Sequence, residues 1–122
     1  MKSLSDITAP MAVVRTVLEA ELQDQCVKWW RRRHVDNWAR KFSSMSQRSV
    51  PDYLFSRRAE RLATQGREVI HLAVEFKAPG KRPTEAQEEE LQAMRNAGWL
   101  VFWCDSFESF KTKVIEREAG RV

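Results

Sequence analysis

The sequence predicts a mixed α/β domain, a four-stranded sheet flanked by helices in the order αβββαβα, and three observations carry that prediction. Residues 69–77, Val-Ile-His-Leu-Ala-Val-Glu-Phe-Lys, form a mostly apolar run in which Glu75 and Lys77 project to one side and Val74 and Phe76 to the other, as strand geometry requires. Residues 99–104, Trp-Leu-Val-Phe-Trp-Cys, are continuously apolar, the pattern of a strand covered on both faces. A helical pattern separates the two runs. A helix between strands is a crossover, which lets those strands lie parallel.

Taken in order, residues 1–9 read as a flexible lead and 10–122 as one domain. Thr8 is placed to cap, and Pro10 to occupy the first turn of, a helix running to about Arg32. Val14, Leu18, Leu22, Cys26 and Trp29 recur at three- and four-residue steps and predict its buried face. Glu19 and Gln23, like Glu21 and Gln25, stand one turn apart on the flanks. A first strand follows over 37–42, with Trp38, Arg40 and Phe42 on one face and Ala39 and Lys41 on the other.

After the polar loop 43–49, Pro51 opens a short strand, Asp52 to Phe55. Residues 56–67 are arginine-rich and read as an extended or partly helical connection turning at Gly66. Strand 69–77 stops at Pro79-Gly80. Thr84-Glu85-Ala86-Gln87 is a capping-box sequence opening a helix to about Ala97, with Gly98 as its stop and Leu91, Met94 and Arg95 along its periodic side. Ser106 caps a last helix, Phe107 to Glu118, with Phe110, Val114 and Ile115 turned inward.

At 122 residues the chain suits a single domain with one modest core. Its 21 basic against 17 acidic residues, a net charge of +4, favour a polyanionic partner. Cys26 and Cys104 sit in apolar surroundings without a Cys-X-X-Cys or Cys/His cluster, so they read as reduced core residues and not as a zinc site. His34 and His71 lack a second histidine at ligand spacing. With no apolar run approaching about 18 residues and no signal-peptide pattern, the expectation is a cytoplasmic protein with no membrane partner.

Glu75 and Lys77 put an acid and an amine on one side of an apolar strand, a costly arrangement unless a charged ligand or a metal lies between them. Asp52 supplies a second carboxylate on a neighbouring extended segment. Two converging carboxylates beside one ammonium suit a hard divalent cation and a phosphate.

Pro51-Asp52, Glu75-Phe76-Lys77 and then Gln87, in that order, resemble the PD-(D/E)xK nucleases, in particular their virus-type replication-repair (VRR-NUC) subfamily. The likeness extends over roughly residues 17–115. It includes Arg40-Lys41-Phe42-Ser43-Ser44, the exit Ala78-Pro79-Gly80-Lys81, and Ala97-Gly98 ahead of a strand ending Asp105-Ser106. Ser49 departs from the glycine the family usually carries before Val-Pro-Asp.

This resemblance implies a restriction-endonuclease-like core and a divalent-metal-dependent DNA endonuclease using Mg²⁺ or Mn²⁺. By the same resemblance, Asp52, Glu75 and the backbone carbonyl of Phe76 would hold the cation. Glu19, with Glu21 in reserve, would extend the shell directly or through water. Lys77 would act on the attacking water, and Gln87 would orient the lysine, the water or a phosphate. It also implies a homodimer, branched DNA such as a four-way junction as substrate, and a phage or prophage origin.

The candidate nucleic-acid contacts are Arg31, Arg32 and Arg33 beside Trp29 and Trp30, together with Lys41, Arg48, Arg57 and Lys81. Cations favoured at a helix C-terminus account equally well for the first three, and a solvated charge run accounts equally well for Arg57 and its neighbours Arg58, Arg61 and Arg67. Two other functional classes fit parts of the chain: a nuclease fold without activity that binds or docks, and a helical DNA-binding regulator using Arg31 to Arg33.

Overall fold

A computed structural model describes residues 11–33, 36–42, 50–60 and 67–120. The expected cap at Thr8 and first-turn Pro10, together with His34, Arg48, Arg61 and the Gly66 turn, lie outside the described residues. Seven elements follow one another: α1 (Met11–Arg33), β1 (Asn37–Lys41), β2 (Tyr53–Glu60), β3 (Arg67–Phe76), α2 (Glu85–Asn96), β4 (Leu100–Cys104) and α3 (Phe107–Glu118). The strands form one sheet in the order β1-β2-β3-β4. β1, β2 and β3 are antiparallel neighbours, and β4 lies parallel to β3 after the α2 crossover.

Helices α1 and α3 cover one face of the sheet. Trp30, Phe55, Phe76 and Phe110 are almost wholly buried there, with Leu72, Val74, Phe102, Cys26 and Cys104 around them. Ring centroids 5.2 Å apart for Trp30 and Phe55, 5.4 Å for Phe55 and Phe110, and 5.8 Å for Phe76 and Phe110 make the aromatics one contiguous cluster. Such pairs add about 0.5–1.5 kcal/mol each beyond the area they bury, so the end of β3 is firmly anchored. Both cysteines are free and buried, as expected of core residues. The opposite face carries a smaller core of Ala73, Val101 and Leu91, the last from α2.

Three details differ from the sequence reading. Residues 56–60 belong to β2, because each pairs with β3 across the register Ser56–His71 to Glu60–Arg67, and ladder hydrogen bonds outweigh the polar composition. The buried side of α1 is rotated: Trp30, Val27 and Gln23 join Leu22 and Cys26 in the interior, while Trp29 is half-buried against Phe107 and Phe110. Ile115 is 46% exposed and does not join Phe110 and Val114 in the core.

Basic side chains occupy backbone carbonyls on both edge strands. Ala39 O on β1 accepts from Arg31 Nη2 at 3.2 Å and Arg40 Nη1 at 2.8 Å. On β4, Val101 O accepts from Arg117 at 3.2 Å and Arg95 at 3.4 Å, and Trp103 O accepts from Lys113 Nζ at 2.6 Å. No described helix is long and apolar enough to cross a membrane.

Candidate active site

The site forms where β3 ends, and each of its residues arrives by a separate local cause. Phe76 is locked into the core by its ring, which fixes its main chain; its N–H donates to Asp52 Oδ2 at 3.1 Å. Asp52 precedes β2 and is itself held by the backbone bond from Phe42 N–H to Asp52 O, at 2.7 Å. Strand alternation then turns Glu75 away from the aromatic core, toward the face that carries α2. It remains only 3% exposed.

Past the strand, Ala78 N–H donates to Glu19 Oε1 at 3.2 Å, which brings α1 to the same point. Glu21 is exposed. Gly80, at φ 82°, makes the turn that ends the run, and its N–H donates to Asp105 Oδ2 at 3.1 Å. The sequence likeness gives Asp105 no role; its signal is a carboxylate placed just after the apolar β4 run.

Gln87 reconciles two readings of one residue. Thr84 caps α2, its hydroxyl accepting from Gln87 N–H at 3.2 Å, and Gln87 Oε1 accepts in return from Thr84 N–H at 2.9 Å. The other end of the same amide, Nε2, donates to Glu75 Oε1 at 2.9 Å. Lys77 Nζ stands 3.8 Å from that same oxygen.

Glu75 Oε2 is left buried with no hydrogen-bond partner among the described residues. Burial, and then the nearby negative charge of Asp52, push the Glu75 carboxyl up to about 8, against the opposing pull of Lys77. Asp52 is also raised, by burial first, although the Phe76 N–H works the other way and Glu19 adds repulsion. Among the described residues no three His, Cys, Asp or Glu side chains are already arranged to hold an ion. Even so, two mutually repelling carboxyls, Asp52 half-buried and Glu75 buried with an oxygen that no described residue partners, fit a hard cation, which prefers oxygen donors and would relieve both costs.

The candidate nucleic-acid contacts divide. Arg32, Lys41 and Lys81 are exposed. Arg31 is exposed but gives one donor to Ala39 O. Arg33 and Arg57, expected to face phosphates, turn instead to Glu118. Arg33 reaches its two oxygens at 2.8 and 2.7 Å, and Arg57 Nε and Nη2 reach Oε2 at 2.7 Å each. The reason is burial: a carboxylate at the end of α3 that is 9% exposed needs cationic partners. Exposed His71 shares a 3.2 Å hydrogen bond with Ser56 and packs its ring edge-on to Trp99.

A solved structure described as "VRR_NUC domain" superposes on 80% of this chain and 94% of its own length, with a TM-score of 0.60 and 21% identity. The fold is that of a VRR_NUC domain. No protein-family model and no curated protein matches the chain. In this VRR_NUC fold Glu19, Asp52, Glu75, Lys77 and Gln87 are drawn from α1, the approach to β2, the end of β3 and the start of α2. Hydrogen bonds and short-range charge interactions connect all five.

Proposed function

We propose that this chain is a divalent-metal-dependent endonuclease that hydrolyses phosphodiester bonds in DNA. The observation that carries the proposal is Glu75 beside Asp52: its buried Oε2 has no hydrogen-bond partner among the described residues, and the Lys77 amine stands 3.8 Å from its other oxygen. Asp52, Glu75 and the Phe76 carbonyl would hold Mg²⁺ or Mn²⁺, with Glu19 extending the shell directly or through water. Bound there, the cation supplies charge that polarises a phosphoryl oxygen and lowers the pKa of a bound water.

The remaining roles fall to the protein's own groups. Lys77 offsets negative charge growing on the phosphate and exchanges a proton with the attacking water. Its compact ammonium suits that task better than a guanidinium. Gln87 keeps the Glu75 carboxylate in one orientation. Exposed Arg32, Lys41 and Lys81 meet phosphates, contacts that position DNA without reading its bases, so shape governs the choice of substrate.

We further propose a homodimer acting on branched DNA such as a four-way junction. One small domain offers one site, whereas a two-fold pair offers two to a substrate of similar symmetry.

The test is to incubate labelled duplex, flap and four-way DNA with Mg²⁺, Mn²⁺ or chelator, with Asp52→Ala as control. Cleavage that needs the ion and disappears in the variant is expected. Cleavage in chelator, or by the variant, refutes the proposal; DNA binding without any cleavage identifies a silent nuclease fold. A monomer by light scattering at micromolar concentration refutes the dimer.

A further inference from the structure

Three of the large apolar side chains that this protein leaves exposed stand in one area. Trp38 is 44%, Phe42 40% and Val69 53% exposed. Along β1 and the residue after it, the alternation Trp38, Arg40, Phe42 is set against buried Ala39, so the row faces away from the aromatic core. The register continues that face across the sheet: Trp38 lies opposite Ser56 and Ser56 opposite His71, Arg40 lies opposite Leu54, and Arg58 lies opposite Val69. Helix α2 packs over Ala73 and Val101, and among the described residues no helix covers the β1 side of this face. There a depression of about 530 Å³ is lined by Trp38, Ser56, Arg57, Arg58 and Val69 together with Asp36 and Asn37.

The chemistry of the row is aromatic and cationic by turns. The Arg40 guanidinium lies 5.5 Å from the Trp38 ring centroid. Trp38 and Phe42 are four residues apart, about 13 Å along a strand, enough to engage more than one planar group. The row also points somewhere, since Phe42, its last member, donates its N–H to the carbonyl of Asp52.

We propose that this face is a stacking surface for unpaired bases of a nucleic acid, and that it leads a single-stranded arm toward Asp52. Trp38 and Phe42 offer π-faces to bases, while Arg40 and Arg58 meet the phosphates between them. Base stacking on aromatics is sequence-tolerant and pairs naturally with a basic track. Only the direction of the arm rests on the nuclease reading; the surface itself does not.

Two alternative occupants fit less well. A strand added at β1 would compete with Arg31 and Arg40 for the carbonyl of Ala39. A second copy seated on this face about a two-fold axis would bring Arg40 and Arg58 of both chains together, with Asp36 the acid at hand in the depression. A polyanion with planar apolar groups answers both the charge and the exposed rings.

The test measures binding of a labelled oligothymidine and of a blunt duplex to the full chain in chelator, by fluorescence anisotropy. Trp38→Leu and Phe42→Leu should each weaken oligothymidine binding by about tenfold, Trp38→Phe should retain most of it, and blunt-duplex affinity should stay unchanged. Ile115→Ala, which alters an exposed apolar side chain on α3, should change neither. Failure of the unaltered chain to bind oligothymidine, or equal binding by the double leucine variant, overturns the proposal. So does a double variant that turns a dimer into a monomer by sedimentation and weakens both DNAs alike, because the row is then a self-interface. Ion-dependent cleavage with unchanged single-strand affinity in the variants defeats the stacking surface alone; absent cleavage with the aromatic effect intact defeats the nuclease reading alone.

Discussion

Gln87 spans two structures with one amide: its Nε2 donates to Glu75 Oε1 at 2.9 Å while its Oε1 accepts from Thr84 N–H at 2.9 Å. Helix initiation and carboxylate orientation are therefore separable by chemistry. Gln87→Glu keeps an acceptor for Thr84 but loses the donor to Glu75 and adds a like charge, so cleavage should fall at least about tenfold with the helix still capped. Gln87→Ala loses both bonds and should in addition cost about 1 kcal/mol of stability. Cleavage rates alongside urea denaturation of the two variants separate the effects.

Asp52 and Glu75 should be stabilised by an ion that the folded chain binds and the unfolded chain does not. At a Mn²⁺ concentration about 100 times the dissociation constant the gain is about 2.7 kcal/mol, seen as a rise in Tm. Asp52→Asn and Glu75→Gln should each suppress that rise while leaving the chelated protein as stable as before or more so, since each removes a buried repulsion. An undiminished Mn²⁺ response in both variants would place the ion elsewhere.

The pH dependence of the chelated protein follows from the same pair. Glu75, ordinarily near 4.5, sits at about 8 in the fold. Across that window the folded chain holds a proton that the unfolded chain gives up. Stability is therefore full below about 4.5, declines as pH rises toward about 8, and levels beyond, by a few kcal/mol at about 1.4 kcal/mol per unit. Raised Asp52 acts in the same sense. Urea midpoints across this range should fall in chelator and flatten with Mn²⁺; a rise from pH 5 to 8 in chelator would contradict the assignment.

Lys77→Ala should leave Mn²⁺ binding mostly intact while abolishing cleavage, because the amine pairs with Glu75 only at 3.8 Å and supplies no oxygen to an ion. Calorimetric titration with Mn²⁺ and a single-turnover cleavage assay check the two halves. Normal cleavage would remove lysine from the mechanism.

Glu118 ties the end of α1 and the middle of β2 to α3 through Arg33 and Arg57. Burial alone would raise its carboxyl, but hydrogen bonds from the two arginines outweigh that and lower it. Its stabilising contribution is thus present above the ordinary carboxylate range and lost on strong acidification. Glu118→Ala strands two largely buried guanidiniums and should cost about 3 kcal/mol in urea denaturation.

Much of the architecture was legible because periodicity and capping signals are local. The alternation ending at Phe76, the Thr84 box and the apolar run before Cys104 each define their element without reference to the rest. The arginine-rich half of β2 was not legible, because its strand state depends on partners in β3 that composition cannot reveal. Trp29 and Trp30 are adjacent in sequence, and which of them turns fully inward depends on how α1 lies across the sheet. The commitment of Arg57 to Glu118 is equally a long-range fact, joining residues 61 positions apart. Within the site, Gln87 carried a clear helix-start signal, but its bond to Glu75 became visible only when α2 was laid beside β3.

Cations seated against carbonyls of the first and last strands govern how the molecule behaves when crowded. Open flanks of a flat β structure are where chains add to one another without limit and build fibrous aggregates. Here an incoming peptide would have to evict the guanidinium or ammonium group from Ala39 O, Val101 O or Trp103 O before it could zip on. Neutralising Arg40 and Lys113 therefore trades two surface charges for susceptibility to polymerisation, even where the fold itself survives.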